Sequence, residues 1–188
     1  MAKRGIEDKT LLEKFAIDFV SVVEKHAKYI IVSGFVAIAH GRSRSTEDID
    51  MIVEKMELEK FSSMHKSLLK AGFECIQSND PEELFRYLTQ NTSIRYIRKG
   101  TFLPEMEFKF AKDELDQYQL DTRTKLPMTG LDIYFSSIEM NIAFKEELLK
   151  SEKDIADAKH LKIVYGNKIN NSEIEKIKKM IQRLRLNG

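Results

Sequence analysis

The sequence predicts an α+β protein: one mixed β-sheet flanked by helices, followed by a helical C-terminal portion. Two observations carry that expectation. Up to about residue 135, short apolar or alternating runs of strand length are interleaved with stretches of helical period. From Ser136 onward only the helical period remains. The chain therefore divides into a core over residues 1–135 and a helical portion over 136–188 packed on it.

The elements follow in order. Leu11 to Lys25 places Leu12, Phe15, Phe19, Val22 and Val23 at helical spacing. Tyr29 to Val32 is an apolar run long enough for one buried strand, Ser33-Gly34 a sharp turn, and Phe35–His40 a short helix. A basic loop leads to a second strand that opens at Asp48. Leu58 to Ala71 repeats the helical pattern and Gly72 closes it; Phe73–Ile76 is a strand. Asp80-Pro81-Glu82-Glu83 starts a helix with a capping Asp and Pro in the first turn. Ser93–Arg98 and Met106–Phe110 alternate as strands joined around Lys99-Gly100. The pattern blurs after Asp113 until a short strand at Leu131–Phe135. Ser136 with Glu139, and Ser172 with Glu175, read as capping boxes. The last helices span Ile138–Lys150, Glu152–Tyr165 and Glu173–Leu186.

Composition narrows the function classes. The 31 basic and 30 acidic residues of the 188 leave a net charge of +1, so nucleic-acid binding must come from local patches rather than a global field. The single cysteine, Cys75, excludes an intrachain disulfide and a cysteine zinc cluster. The four histidines lack ligand spacing. The start at Met1 is charged and amphipathic without a signal-type apolar segment, and no run reaches membrane length, so a soluble cytoplasmic protein is expected.

The chemistry concentrates between Tyr29 and Glu54. Asp48 and Asp50 stand two apart in a strand and share a face. Paired acids repel unless a cation sits between them, and oxygen-only ligands favour Mg²⁺ or Mn²⁺. Ser33 and Gly34, at the start of a helix, present amides to an anion such as a triphosphate, and Arg42 and Arg44 add charge beside them. Thr46 belongs to the same constellation. A third carboxylate is needed to complete a two-metal site, and Glu107, in the middle of Glu105-Met106-Glu107-Phe108, is the choice; a solvent-facing polar row is the alternative. Lys145 falls in the apolar stripe of its helix, where it either snorkels or meets a buried anion. Asp154 falls similarly in line with Ala158 and Leu161 in the next helix.

Ser33-Gly34 followed by Gly41-Arg42-Ser43-Arg44-Ser45-Thr46-Glu47-Asp48-Ile49-Asp50 resembles the signature of the DNA polymerase β-type nucleotidyltransferase superfamily. The Arg-x-Thr-x-Asp-Ile-Asp form is similar to its minimal and toxin-type branch, the AbiEii-like group. Phe144-Lys145 with Lys153-Asp154-Ile155-Ala156-Asp157 resembles that group's downstream lysine and Asp-bearing helix. Ser33 departs from the family's usual Gly at the first turn position.

The resemblance implies a nucleotidyltransferase fold over about Tyr29 to Leu161 and metal-dependent transfer of a nucleoside monophosphate from an NTP to an acceptor hydroxyl. The acceptor is an RNA, a protein or a small molecule. Asp48, Asp50 and Glu107 then hold Mg²⁺ or Mn²⁺; Asp154 orients Lys145 or serves as base; Ser33, Gly34, Arg42, Arg44, Thr46 and Lys145 bind the nucleotide. A toxin–antitoxin role with a cognate antitoxin partner follows from the same likeness. The competing reading is a catalytically silent binding or regulatory module of that fold.

Overall fold

The computed structural model describes residues 9–187; the charged start of the chain, residues 1–8, lies outside them. The strands, in chain order, are β1 (Tyr29–Val32), β2 (Asp48–Val53), β3 (Phe73–Cys75), β4 (Ile94–Arg98), β5 (Glu105–Phe110), β6 (Thr124–Lys125) and β7 (Tyr134–Phe135). They form one sheet in the order β3-β4-β5-β2-β1-β7-β6. It is mixed: β2 runs parallel to β5 and β1 parallel to β7, while the remaining pairs are antiparallel. The helices are α1 (Leu11–Val23), α2 (Gly34–Ala39), α3 (Leu58–Lys70), α4 (Pro81–Thr89), α5 (Glu114–Asp121), α6 (Ile138–Phe144), α7 (Glu152–Tyr165) and α8 (Asn171–Ile181). The α6 and α8 helices each continue into a wider π-helical turn, Lys145–Leu149 and Gln182–Leu186. The expected mixed sheet with flanking helices and a helical C-terminal portion is therefore what the chain forms.

Strand alternation gives the sheet two unlike faces. Tyr29 and Ile31, Ile49, Met51 and Val53, Met106, Phe108 and Phe110, and Ile94 and Tyr96 all join one buried cluster with Phe15 and Phe19 of α1, Phe61 and Met64 of α3 and Leu84 of α4. Aromatic edges interlock there: the Phe19 and Phe73 rings meet edge-on at 5.0 Å, as do Tyr96 and Phe108 at 6.0 Å. The opposite face carries only a small apolar cluster, Ile30, Ile52, Ala111 and Leu120, with Val32 against it. Acids, amides and lysines take the rest of that face, which is where a ligand can reach polar groups on a rigid strand.

Several local expectations are corrected. Helix α5 stands where no periodicity was legible; Asp113 starts it by accepting from the amides of Leu115 and Asp116, both at 3.0 Å. Strand β6 was likewise unread. Helix α6 is capped by Ser137, whose hydroxyl accepts from the Met140 amide at 3.1 Å, leaving Ser136 buried. Helix α8 is capped by Asn170, not Ser172.

Two buried imidazoles tie elements together. The Val36 carbonyl can only accept, so His40 Nδ1 donates to it at 2.6 Å and Nε2 accepts from the Tyr165 hydroxyl at 2.7 Å. His65 Nδ1 pairs with the Tyr96 hydroxyl at 2.8 Å. Burial holds both imidazoles below their ordinary pKa. In the unfolded chain they take up protons at about pH 6.5, ahead of the folded protein. The unfolded state then binds more protons, so stability falls as pH drops through that value. Melting temperature should decline from pH 7.5 to 5.5, and the His65→Gln variant should show a shallower decline; an unchanged slope would contradict this origin.

Candidate active site

The register of β2 and β5 builds the polar patch. Asp48 lies beside Glu105 and Asp50 beside Glu107 on adjacent parallel strands, with side chains on the same face. On the far side of β5, Arg95 of β4 is the register partner of Glu107. Its guanidinium approaches Glu107 Oε2 at 3.3 Å and Glu105 Oε1 at 3.3 Å. Arg95 thus neutralises the two glutamates, and Lys109 is the cation whose charge acts on Asp50.

That arrangement is felt at Asp50. Burial pushes its carboxyl above the usual carboxylate range; the charges of Glu107 and Asp48 add to the shift, while Lys109 and the Ser33 hydroxyl oppose it. Thr46 fixes the neighbouring acid, donating its hydroxyl to Asp48 Oδ1 at 3.0 Å. Among the described residues no three His, Cys, Asp or Glu side chains stand close enough to form a metal cage on their own. Two carboxylates on one strand face nevertheless suit a hard divalent cation of the Mg²⁺ type, which completes its shell from phosphate oxygens and water.

The turn after β1 departs from expectation in its details. Ser33 has φ 68°, a left-handed conformation that favours glycine, and its side chain does not cap α2. Gly34 matters for a different reason: a Cβ there would stand 3.1 Å from an Arg44 guanidinium nitrogen and press it back by a few tenths of an ångström. The glycine makes room for an arginine rather than supplying a positive φ.

Arg44 is held in that space by Asp157, the last residue of the Lys153–Asp157 motif, to which the sequence assigned no role of its own. Asp157 is fully buried on α7. Its Oδ1 pairs with Arg42 Nε at 2.5 Å, and its Oδ2 takes Arg44 Nη1 and, at 3.0 Å, Lys145 Nζ. Burial raises the carboxyl, but hydrogen bonds from Lys145 and Arg42 and the charges around it hold it below its ordinary pKa. Lys145 is itself 1% exposed, so it meets a buried anion rather than snorkelling. Asp154 has two contacts. With Ser151 it forms the capping box of α7, and it lies 3.6 Å from Lys145 Nζ as a second, outer contact. The foreseen pairing of Asp154 with Lys145 is present, and Asp157 joins it as the closer acid at 3.0 Å. The signal was available: Ser151-x-x-Asp154 is a helix-start pattern, which leaves Asp157 as the interior acid of α7.

These elements enclose a cavity of about 390 Å³ over the polar face. Ser33, Asp50, Glu107 and Lys145 line it, joined by Lys109, Asn141, Gln119 and Arg185, which sequence reasoning missed. Asp48 shares the face of Asp50 at its edge. Arg42, Arg44, Thr46 and Gly34 are not among the lining residues; the arginines pair with Asp157, and Thr46 pairs with Asp48. Residues on both sides of position 135 build the cavity. Arg185, from the end of the chain, closes it by bridging Asp113 at 2.5 Å and Asp116 at 2.8 Å.

No family model matches the chain, and no curated protein matches it by sequence. Solved structures do. The antibiotic-resistance factor ANT(2'')-Ia, in solution, superposes with a TM-score of 0.52 at 14% identity, over 92% of this chain and 91% of that one. The same factor in complex with adenylyl-2''-tobramycin gives 0.52 at 13%, over 93% and 98%. An antigenic nucleotidyltransferase-like protein from Paracoccidioides brasiliensis gives 0.53 at 17%, over 95% and 91%. At such identities the likeness is one of fold, and the chain has the nucleotidyltransferase fold.

Proposed function

We propose that the chain is a metal-dependent nucleotidyltransferase that moves a nucleoside monophosphate from an NTP to an acceptor hydroxyl. The observation that carries this is the pairing of Asp50 with Glu107 in the wall of a cavity that also holds Lys145, on a fold shared with nucleotidyltransferases. Asp48 and Asp50 would hold Mg²⁺ or Mn²⁺, and Glu107, the register neighbour of Asp50 and paired with Arg95, would be the third acid once Asp48 and Asp50 are drawn together by the ion. The ion, when bound, neutralises triphosphate charge and lowers the pKa of the attacking hydroxyl. Ser33, Gly34 and Lys145 receive the triphosphate, and Arg42 and Arg44 add positive potential from behind. Thr46 keeps Asp48 turned toward the nucleotide. The acceptor oxygen attacks the α-phosphorus, the bond from that phosphorus to its bridging oxygen breaks, and pyrophosphate leaves. Glu107 takes the acceptor's proton.

The finer reading is the toxin-type, AbiEii-like branch, supported by Lys145 followed by an interior acid on the next helix. On that reading the acceptor is RNA or protein and a cognate antitoxin is the partner. A small-molecule acceptor draws support from the neighbour solved with adenylyl-2''-tobramycin. The silent-module reading draws on Ser33, a non-glycine residue in a left-handed conformation, and on the absence of a three-acid cage among the described residues.

Incubation with α-labelled NTPs, Mg²⁺ and separate RNA, protein and small-molecule pools separates these readings. Label should move to one pool, and Asp50→Asn should reduce transfer by at least about a hundredfold. No transfer to any pool would favour the silent module. In the same conditions NTP with Mg²⁺ should raise the melting temperature by mass action, and the Asp48→Asn/Asp50→Asn variant should fold yet lose that shift. An equal shift would remove the metal assignment.

Stability should distinguish the members of the buried ion cluster. Asp157→Asn strands three cations and should cost about 3–5 kcal/mol in denaturant unfolding. Lys145→Met leaves Asp157 with both arginines, so it should stay near parental stability while NTP binding weakens. Parental affinity for NTP in Lys145→Met would end its nucleotide role.

A further inference from the structure

Two buried side-chain amides in the cavity have their orientation fixed by their neighbours and their carbonyl oxygens left over. Asn141, 4% exposed, directs Nδ2 at the carbonyl of Ser136 at 3.0 Å and that of Ser137 at 2.9 Å. Backbone carbonyls only accept, so the amide cannot be reversed. Gln119, 3% exposed, donates Nε2 to Asp116 Oδ1 at 3.2 Å, and a carboxylate likewise only accepts. Neither Asn141 Oδ1 nor Gln119 Oε1 receives a hydrogen bond from any described residue, although both side chains line the cavity. Neither oxygen is among the fully buried atoms without a partner, so each is open to the cavity and free to accept from a ligand's donor.

We propose that Asn141 and Gln119 are specificity-determining residues that accept hydrogen bonds from the ribose hydroxyls of the bound nucleotide. The inference rests on the nucleotidyltransferase reading of this cavity and extends it to the sugar. Asn141 and Lys145 are four residues apart on one helix, so both face the cavity with about 6 Å of rise between them. That spacing suits a nucleotide whose phosphates meet Lys145 and whose sugar lies one turn away. A vicinal diol presents two O–H donors, matching two separate acceptors. Met140, Phe144 and Leu148 supply the adjoining wall. They are apolar and can cover any base face without reading its edge, so the pair selects the sugar and leaves the base free.

Calorimetry with Mg²⁺ tests this using ATP, 2′,3′-dideoxy-ATP and inorganic tripolyphosphate as probes. The parent protein should bind ATP at least about tenfold more tightly than the dideoxy nucleotide, because a site built around a hydroxyl rejects the analogue lacking it. Gln119→Met is nearly isosteric and leaves Asp116 paired with Arg185; it should weaken ATP while leaving dideoxy-ATP and tripolyphosphate unchanged. Asn141→Leu should do the same, and if it fails to fold, Gln119→Met still decides. Equal affinity of the parent for ATP and dideoxy-ATP, with tripolyphosphate competing for both, overturns the sugar-reading pair and leaves the nucleotide site standing. Absence of binding by all three probes overturns the nucleotide reading, and the pair with it.

Discussion

The carboxylate of Asp157 is the constraint on which the cavity wall depends. A buried acid with one cation is a poor stabiliser, because desolvation of both charges offsets their attraction. Here one acid serves three cations that arrive from different parts of the chain: Arg42 and Arg44 from the loop after α2, and Lys145 from the end of α6. The cluster fixes the loop that leads into Asp48 and turns Lys145 toward the cavity. Further ties run between the same elements. His160 donates to the His40 carbonyl at 2.9 Å, and Tyr165 to the His40 ring. Helix α7 is thereby stapled to α2, the helix that follows the Ser33-Gly34 turn. Three cations against one fully buried acid leave excess positive potential behind the place where a triphosphate would lie, with Asp154 as an outer partial counterweight.

The sheet contributes a second constraint, arising from strand period alone. One face is filled by interlocking aromatic and aliphatic side chains, which makes the strands rigid; the other holds acids in register across β2 and β5. Destabilising features gather on that second face. Asp50 is pushed toward its neutral form by burial and by neighbouring acids, and Ser33 holds a conformation suited to glycine. Both are costs that the dry face and the Asp157 cluster outweigh, and both would be relieved or put to use by a cation and phosphates.

Much of this was legible in the sequence where local signals are strong. The strand opening at Asp48 and the helix started by Asp80-Pro81 follow from alternation and turn chemistry. Helix α5 escaped because Glu114–Asp121 is mostly polar and its order comes from a cap at Asp113 and from Arg185, some seventy residues away. Lys145 stood out as a charge in an apolar stripe, and an acid on the next helix as its partner; which of two acids lies closer came from the structure. Asp154 and Asp157 lie one turn apart, and only the cap at Ser151 tells them apart. Arg42 and Arg44 read as positive charge beside the Ser33-Gly34 turn, whereas a long-range ion cluster fixes them. Asn141 and Gln119 carry no sequence signal, since an amide in a helix means little until its neighbours are known.

The central claim is that Asp48 and Asp50, on the polar sheet face, are the metal-holding centre of a nucleotide site. Crystals grown with Mn²⁺ and a non-hydrolysable NTP test it most directly through anomalous scattering. An anomalous peak within about 2.3 Å of carboxylate oxygens of both Asp48 and Asp50, with the triphosphate running toward Lys145, is the result the account predicts. A nucleotide bound outside this cavity, or manganese held by other residues with the Asp48–Asp50 face vacant, would contradict it.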